Sequence, residues 1–269
     1  MDDRAAAIIS KVVPVYGSIE LGMKLADLHI HTIRSDGWWR PEALAEAAVA
    51  MELSAIAVTD HDDCVAGFEI ANYCDKNNLP LVVYPGSEIS AKEAANDAHV
   101  IGINLQKEVR PWQSISQTVA EIVAQGGIPV LPHPKPDGHG RPSYSSILAL
   151  EVPVAIEIYN SGIQDLRWLR EKRGGIDVNR GALEFFLQHQ DRFLGAVGGT
   201  DAHFRTVGRG LTAYRGDLIE AIKERRTVVV RLPDRERLMP WDPIGYYRGL
   251  KRMARRRAER WGARPEDSQ

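Results

Sequence analysis

The chain of 269 residues carries 34 Lys or Arg against 36 Asp or Glu, a formal net charge of -2, and 44% of it is hydrophobic. This balance is ordinary for a globular chain and excludes a protein that binds polyanions over its whole surface. No run approaches the roughly 18 apolar residues of a membrane span.

The opening "MDDRAAAIISKVVPVYG" is acidic and its apolar stretch is short, which makes it a poor signal peptide. Seven short apolar runs follow: "KLADLHIH", "SAIAVTD", "PLVVYPG", "AHVIGINL", "GIPVLPHP", "VAIEIYN" and "FLGAVGGTD". Between them lie helical patterns, "RPEALAEAAVAMEL", "AGFEIANYCDKN", "WQSISQTVAEIVAQGG" and "DVNRGALEFFLQHQ". Pro41 and Pro111 stand where helices should start, and Gly126 and Gly127 where one should stop. Continuous apolar strands alternating with helices predict a largely parallel α/β sheet covered on both faces. About seven such strands suit a closed or nearly closed barrel better than a small open sheet, with an open doubly wound sheet as the alternative. "RTVVVRL" reads as an extra edge strand or a barrel closure. Cys64 and Cys74 lie in or beside one helix and form no metal-spaced pair. They read as free thiols of a reducing compartment, so the expected location is cytoplasmic.

The histidines follow this map. His29 and His31 end the first apolar run, His61 ends the second, His99 begins the fourth, His133 ends the fifth and His203 follows the seventh. Asp36, Asp60, Glu88, Glu157 and Asp201 share these positions, whereas His189, inside a helix, and His139, in a Gly/Pro-rich loop, stand apart. In a strand, residues i and i+2 face one side, so His29 and His31 aim at one point. The C-terminal ends of parallel strands form one face where ligands bind, and these residues should converge there. Taken singly, each is an ordinary structural polar residue; their coincidence with strand ends points to metal. Imidazoles and carboxylates without thiolate favour Mn, Fe or Zn. Nine candidate ligands exceed what one ion takes, so two or three divalent ions are expected, with Glu88 as the bridging carboxylate. Such an arrangement serves phosphate-ester hydrolysis.

"DLHIHTIRSDG", "VTDHDD", "GSEIS", "AHVIGI", "PHP" and "GGTDAH", in this order, resemble the motifs of the PHP (polymerase and histidinol phosphatase) metal-dependent phosphoesterases. The resemblance spans about residues 25–210 and implies a distorted (β/α)7 barrel with a trinuclear metal site at the C-terminal ends of the strands. Carried over motif by motif, it implies one ion held by His29, His31, Glu88 and Asp201, a second by Glu88, His99 and His133, and a third by Asp36, His61 and His203. Glu88, Asp201 and His203 are the candidate catalytic residues. Some family members carry a long lid insertion between the residues matching His99 and His133; here only one helix separates them.

Phosphate recognition needs cations near the metals. Lys135, His139 and Arg141 follow His133, and Arg205 and Arg209 follow His203; these are the candidate substrate contacts. Asp27 and Asp60 are candidates for orienting the ligating histidines, with a structural hydrogen bond as the plainer role. The chain divides into a barrel of residues 1–232 and a basic extension of residues 233–269. From Arg235 to Arg264, ten Lys or Arg face three acidic residues, a local balance of +7. Tyr247, Leu250, Ala254 and Trp261 recur at helical spacing, so the expectation is an amphipathic helix packed on the barrel. A nucleic-acid guide is the alternative to it, and a membrane-surface helix the less favoured one. Three functions fit: a phosphatase of phosphomonoesters of the nucleotide or sugar phosphate type, an exonuclease trimming short oligonucleotides, and a non-catalytic metal-binding partner module. The third predicts missing ligands, and none is missing. The expected partner is a small phosphoester, with an oligonucleotide as the alternative, and no membrane; the sequence leaves the oligomeric state open.

Overall fold

The computed structural model describes residues 9, 11–93, 96–137, 141–165, 177–203, 207–233 and 243–262. All seven apolar runs form strands: β2 (Lys24–Asp27), β3 (Ala55–Val58), β4 (Val82–Glu93), β5 (Asn96–Ile103), β7 (Ile128–Leu131), β8 (Val154–Asn160) and β9 (Phe193–Gly199). Four further strands complete one sheet: β1 (Val13–Tyr16), β6 (Gln113–Ser114), β10 (Gly210–Tyr214) and β11 (Val228–Arg231). The order is β1-β11-β10-β2-β3-β4-β5-β7-β8-β9, with β6 beside β4. "RTVVVRL" is therefore neither an edge nor the closure; β11 lies between β1 and β10, both antiparallel to it.

The sheet is mixed. The runs β2-β3-β4 and β7-β8-β9 are parallel, whereas β5 is antiparallel to both its neighbours and β10 is antiparallel to β2. This reversal explains why His99 begins its run while the other histidines follow theirs. An antiparallel strand brings its first residues to the end where parallel strands finish.

The helices are α1 (Pro41–Ala50), α2 (Val65–Asn77), α3 (Ile115–Ala124), α4 (Tyr144–Leu148), α5 (Ser161–Asp165), α6 (Val178–Gln188), α7 (Leu218–Lys223) and α8 (Pro243–Trp261). Pro41 opens α1 as expected. Pro111 does not open a helix: α3 starts at Ile115, behind Ser114, because Ser114 and Gln117 form a reciprocal capping box that satisfies the first free N–H groups. His189 lies not inside a helix but at the cap that ends α6.

The sheet curls into a mixed α/β half-barrel with three apolar clusters. Small residues of β2, β3 and β8 (Ala26, Ala55, Ala57, Ala155) pack inside the curl with Ile101, Val130, Val197 and the α7 residues Leu218 and Ile222. Outside, α1 and α2 cover one flank and α3, α4 and α6 cover the other. The β9 and β2 flanks meet directly. Asp201 N donates to His29 O at 2.7 Å, and Ile30 bridges Ala202. Gly199 permits that approach, since a Cβ there would stand 2.5 Å from the Cβ of His29. Among the described residues no helix is long and apolar enough to cross a membrane.

Candidate metal centre

The curl brings all nine candidate ligands to one end of the half-barrel. His29 and His31 lie just beyond β2, which ends at Asp27, and their rings still face one another with centroids 5.2 Å apart. His61 follows β3 and bridges Glu88, which lies within β4. His99 in β5 pairs with Ser90 of β4. His133 follows β7, and Asp201 and His203 follow β9. His133 (φ 34°) and Asp201 (φ 54°) sit in the left-handed backbone region, which is uncommon for residues with a side chain. Such conformations persist where surrounding structure over-determines them, commonly at functional sites.

Glu88 is the hub. Its Oε2 lies 3.3 Å from His29 Nε2, 3.3 Å from His31 Nε2 and 3.5 Å from His61 Nδ1. Its Oε1 lies 3.0 Å from His99 Nδ1 and 3.4 Å from His133 Nε2. Asp201 Oδ1 approaches His31 Nε2 at 3.3 Å, His203 Nδ1 at 3.3 Å and His29 Nε2 at 3.5 Å. Asp36 faces His203 Nε2 at 3.0 Å, His31 Nδ1 at 3.6 Å and His61 Nε2 at 3.7 Å. Four overlapping groups have ligand atoms close enough to share an ion: His29-His31-Asp201, His29-Glu88-His133, His61-Glu88-His99 and His31-Asp36-His61-His203.

The donors converge on shared points rather than on one another. His31 Nδ1 and Nε2, His61 Nδ1, Glu88 Oε1 and His133 Nδ1 are buried without a hydrogen-bond partner, despite carboxylate oxygens near several of these nitrogens. Buried polar atoms are normally paired. Here imidazole nitrogens and carboxylate oxygens point into common spaces, which is the chemistry a divalent cation completes. The residues therefore fit a metal.

The electrostatics agree. Burial opposes charge on every group. Histidines around Asp36, Glu88 and Asp201 nonetheless hold these carboxyls well below the usual carboxylate range, so the three stay ionised. For His31, burial is outweighed by Asp201 and Glu88, which carry it up to about 10. His29, His99 and His203 are likewise raised against burial, by Asp201 and Glu157, by Glu88 and by Asp36 respectively. His61 is pushed down to about 3 by burial, reinforced by His31 and His99. Burial and the Arg141 guanidinium lower His133. A site that draws protons onto its histidines is one that lacks positive charge, and a metal would replace those protons.

Asp27 and Asp60 do not orient the histidine rings. Asp27 accepts from Thr200 N at 2.9 Å, Gly208 N at 2.9 Å, the Thr200 hydroxyl and His29 N, tying β2 to the β9 and β10 loops. Burial still raises its carboxyl to about 6. Asp60 accepts from Thr32 N and Oγ1 and from Ser35 N and Oγ, pinning the turn between His31 and Asp36. Four donors within a short backbone turn out-compete a distant ring.

A carboxylate that does orient a ring is Glu157. Its Oε1 accepts from His29 Nδ1 at 3.0 Å, leaving Nε2 to face the cluster, and its Oε2 accepts from His133 N and Asn160 Nδ2. The signal was a lone Glu inside the otherwise apolar "VAIEIYN", every residue of which is buried.

Of the candidate substrate contacts, Arg141 donates to His133 O at 3.1 Å, and Lys135 pairs with Ser143 in the same loop. Arg209 lies between Gly208, which binds Asp27, and Gly210, where β10 begins. His139 and Arg205 lie outside the described residues.

The helix α8 crosses the mouth of this cluster. Gly249 packs on the Asp36 backbone, where a Cβ would stand 2.8 Å from the carbonyl oxygen. Arg252 Nη2 donates to Gly37 O at 3.3 Å. Arg257 Nη2 pairs with Asp62 Oδ2 at 2.5 Å and Ser90 Oγ at 3.0 Å, and its guanidinium lies 6.0 Å from the Trp112 ring centre. Arg260 pairs with Asp63 at 3.1 Å and with Glu108, and Trp261 Nε1 donates to Asp62 O. The inward face was expected at Leu250, Ala254, Trp261 and Tyr247. Leu250 and Trp261 are half-buried as expected, whereas Ala254 is exposed, and Gly249, Arg252, Met253, Arg256 and Arg257 are drawn in beside them; Tyr247 lies outside the described side chains. The reason is the surface beneath, whose Asp62, Asp63 and Glu108 attract arginine more than apolar residues.

A family model for the PHP domain matches residues 27–142. Over 79 residues the chain is 39% identical to the "5'-3' exoribonuclease Rnm" of Escherichia coli, a stretch covering 29% of this chain and 27% of that relative. Over 80 residues it is 31% identical to the "3',5'-nucleoside bisphosphate phosphatase" of Chromobacterium violaceum, covering 29% of this chain and 27% of that protein. The matched stretch thus spans about a quarter of these curated relatives. The fold resembles a two-domain protein of Bacteroides vulgatus containing a predicted PHP-like metal-dependent phosphoesterase. That match has a TM-score of 0.56 and 19% identity, over 80% of this chain and 67% of the other.

Proposed function

The chain belongs to the PHP-domain, PHP-like metal-dependent phosphoesterase family, and on that premise we propose that it hydrolyses phosphomonoesters of the nucleotide or sugar phosphate type. The observation that carries this reading is Glu88, buried and met by five histidines on its two oxygens. We assign His29, His31, Asp36, His61, Glu88, His99, His133, Asp201 and His203 as the ligands of two or three Mn, Fe or Zn ions. Ions held there supply neutralisation of the phosphate charge and activation of water at neutral pH.

The chain's own residues do the rest. Glu157 fixes the tautomer of His29 by accepting from Nδ1. Asp36, Glu88 and Asp201 stay ionised and offset the cationic charge of the cluster. His99 (26% exposed), His203 (21%) and Asp201 (16%) are the most open members, so substrate approaches from their side. His203 and Asp201 stand there as the groups that orient the reacting phosphate, with Arg141 as a cation beside His133. We keep the division into a barrel of residues 1–232 and a basic extension of residues 233–269 that carries α8.

The relatives named as exoribonucleases favour a second reading, trimming of short oligonucleotides by the same centre. Purified protein supplied with Mn²⁺ should contain two or three ions per chain by elemental analysis. It should release phosphate from p-nitrophenyl phosphate and nucleotides faster than it shortens a 5'-phosphorylated oligoribonucleotide. Less than about one ion per chain after metal supplementation would count against the centre. Hydrolysis of the oligonucleotide alone would install the second reading.

A further inference from the structure

The arginines on the inward face of α8 divide into two sets. Arg257 and Arg260 are committed to carboxylates: Arg257 to Asp62, and Arg260 to Asp63 and Glu108. Arg252 and Arg256, one helical turn apart on the same face, have no carboxylate partner among the described residues. Arg252 reaches only the Gly37 carbonyl, its Nε is buried without an acceptor, and Arg256 Nη1 is buried without one too; Arg257 Nε is likewise unmatched, but that guanidinium already has Asp62 and Ser90 as acceptors. A guanidinium has five donors and no acceptor, and a buried donor left unmatched forfeits the hydrogen bond it would make with water. Four residues from the carboxylate-pinned end of this helix, that loss is avoidable by turning the side chain outward into water. Instead both keep these N–H groups buried under the helix.

Their place is set by their neighbours. Gly249, one turn before Arg252, lies on the backbone of Asp36, and Arg257, next to Arg256, donates to the hydroxyl of Ser90, the residue that pairs with His99 across β4 and β5. Arg252 and Arg256 therefore lie along the rim between the Asp36 and His99 sides of the candidate metal centre. The planar fork of arginine suits a phosphate oxygen pair better than any neutral acceptor.

We propose that Arg252 and Arg256 form a subsite for a second phosphate of the substrate, the one that is not hydrolysed. This rests on the phosphoesterase reading of the centre. The ligand chemistry is a phosphate held a nucleoside's length from the reacting one, whether in a nucleoside bisphosphate or in the next linkage of an oligonucleotide. The helix thereby selects substrates with two phosphates, and the carboxylate-bound pair Arg257 and Arg260 holds the subsite in place.

The test compares wild type with R252Q/R256Q and with R248Q/R255Q, which removes the same charge from exposed positions of the same helix. Two measurements are made: binding of adenosine 3',5'-bisphosphate in EDTA by equilibrium dialysis, and Mn²⁺-supported kinetics on that compound, on a 5'-phosphorylated trinucleotide and on p-nitrophenyl phosphate. R252Q/R256Q should weaken binding and raise KM on the two-phosphate substrates at least tenfold. It should change kcat/KM on p-nitrophenyl phosphate less than twofold, and R248Q/R255Q should change all of these less than threefold. A greater loss on the bisphosphate than on the trinucleotide identifies a terminal phosphate as the occupant, and the reverse identifies an internal linkage. Equal losses on p-nitrophenyl phosphate and bisphosphate, or equal losses in the two double variants, would overturn the subsite. R252K/R256K guards against misfolding: it keeps the charge and should recover part of the affinity. If no variant hydrolyses any phosphoester, the reading of the centre fails. Arginine-dependent binding in EDTA would then still uphold the subsite, and its absence would sink that too.

Discussion

The floor of the site and the helix that crosses it are both charged, yet they are incomplete in opposite ways. On the floor, nitrogens and carboxylate oxygens from nine residues brought together by the curled sheet meet, and several are buried without a partner. What is missing there is positive charge. On α8, Arg257 and Arg260 are pinned to carboxylates and Arg252 and Arg256 are not, and Arg252 Nε, Arg256 Nη1 and Arg257 Nε are buried without an acceptor. What is missing there is an acceptor. Divalent ions would supply the first, and a phosphoester bound to them would supply the second. The difference in construction also matters. The floor is held by backbone pairing between strands distant in sequence, while the described part of α8 is held by side-chain pairs and by the seat of Gly249 on the Asp36 backbone, so damage to the floor should reach further.

The largest effect is expected at the hub. Glu88→Gln removes the charge that five histidines share, and phosphoester hydrolysis measured with Mn²⁺ should fall well beyond the roughly 10–100-fold typical of a residue that only supports a ligand. Glu157→Gln should fall within that smaller range, because it alters the orientation of His29 without removing a ligand. Activities in the reverse order would break the picture of the floor.

Gly199→Ala comes next. The added Cβ would stand 2.5 Å from the Cβ of His29, at the meeting of the two flanks. Overpacking of this kind costs about 1–3 kcal/mol. Thermal unfolding should move down by several degrees and metal content should drop with it. An unchanged melting temperature would show that the flanks have slack.

Arg257→Gln tests the roof. It leaves Asp62, 1% exposed, without its cation, and removing one partner of a buried pair typically costs about 3–5 kcal/mol. Because the pair joins α8 to the half-barrel, the loss should be local. Hydrogen exchange over residues 248–262 should rise sharply while the barrel strands keep their protection. Uniform loss of protection would mean the two regions fold as one unit.

The smallest effect concerns Cys64, which lies between Asp63 and α2 beneath the α8 end. Burial, with Glu108 and Asp63 adding repulsion, pushes its thiol up to about 12. Raised in this way, the group stays a neutral thiol through pH 8. Native protein should therefore alkylate slowly at Cys64, and Arg260→Gln should speed it only modestly by loosening the cover.

Much of this was readable along the chain. Seven apolar runs became seven strands because a strand buried on both faces has no room for polar residues, and the histidines that follow them stand out for that reason. The candidate ligand types and their order needed no coordinates. The direction of β5 was also latent in the sequence, since His99 begins its run where the others end theirs. The rest was decided by contacts between distant segments. Whether Asp27 and Asp60 would meet rings or backbone depended on which donors the turns at Thr200, Gly208, Thr32 and Ser35 brought to them. Glu157 gained its role only when β8 was set opposite His29, 128 residues away. The inward face of α8 could be read only in part from its own periodicity, which places Leu250 and Trp261 inside but not the arginines that join them. A helix turns toward whatever surface it meets, and here that surface is a rim of carboxylates brought together by the fold.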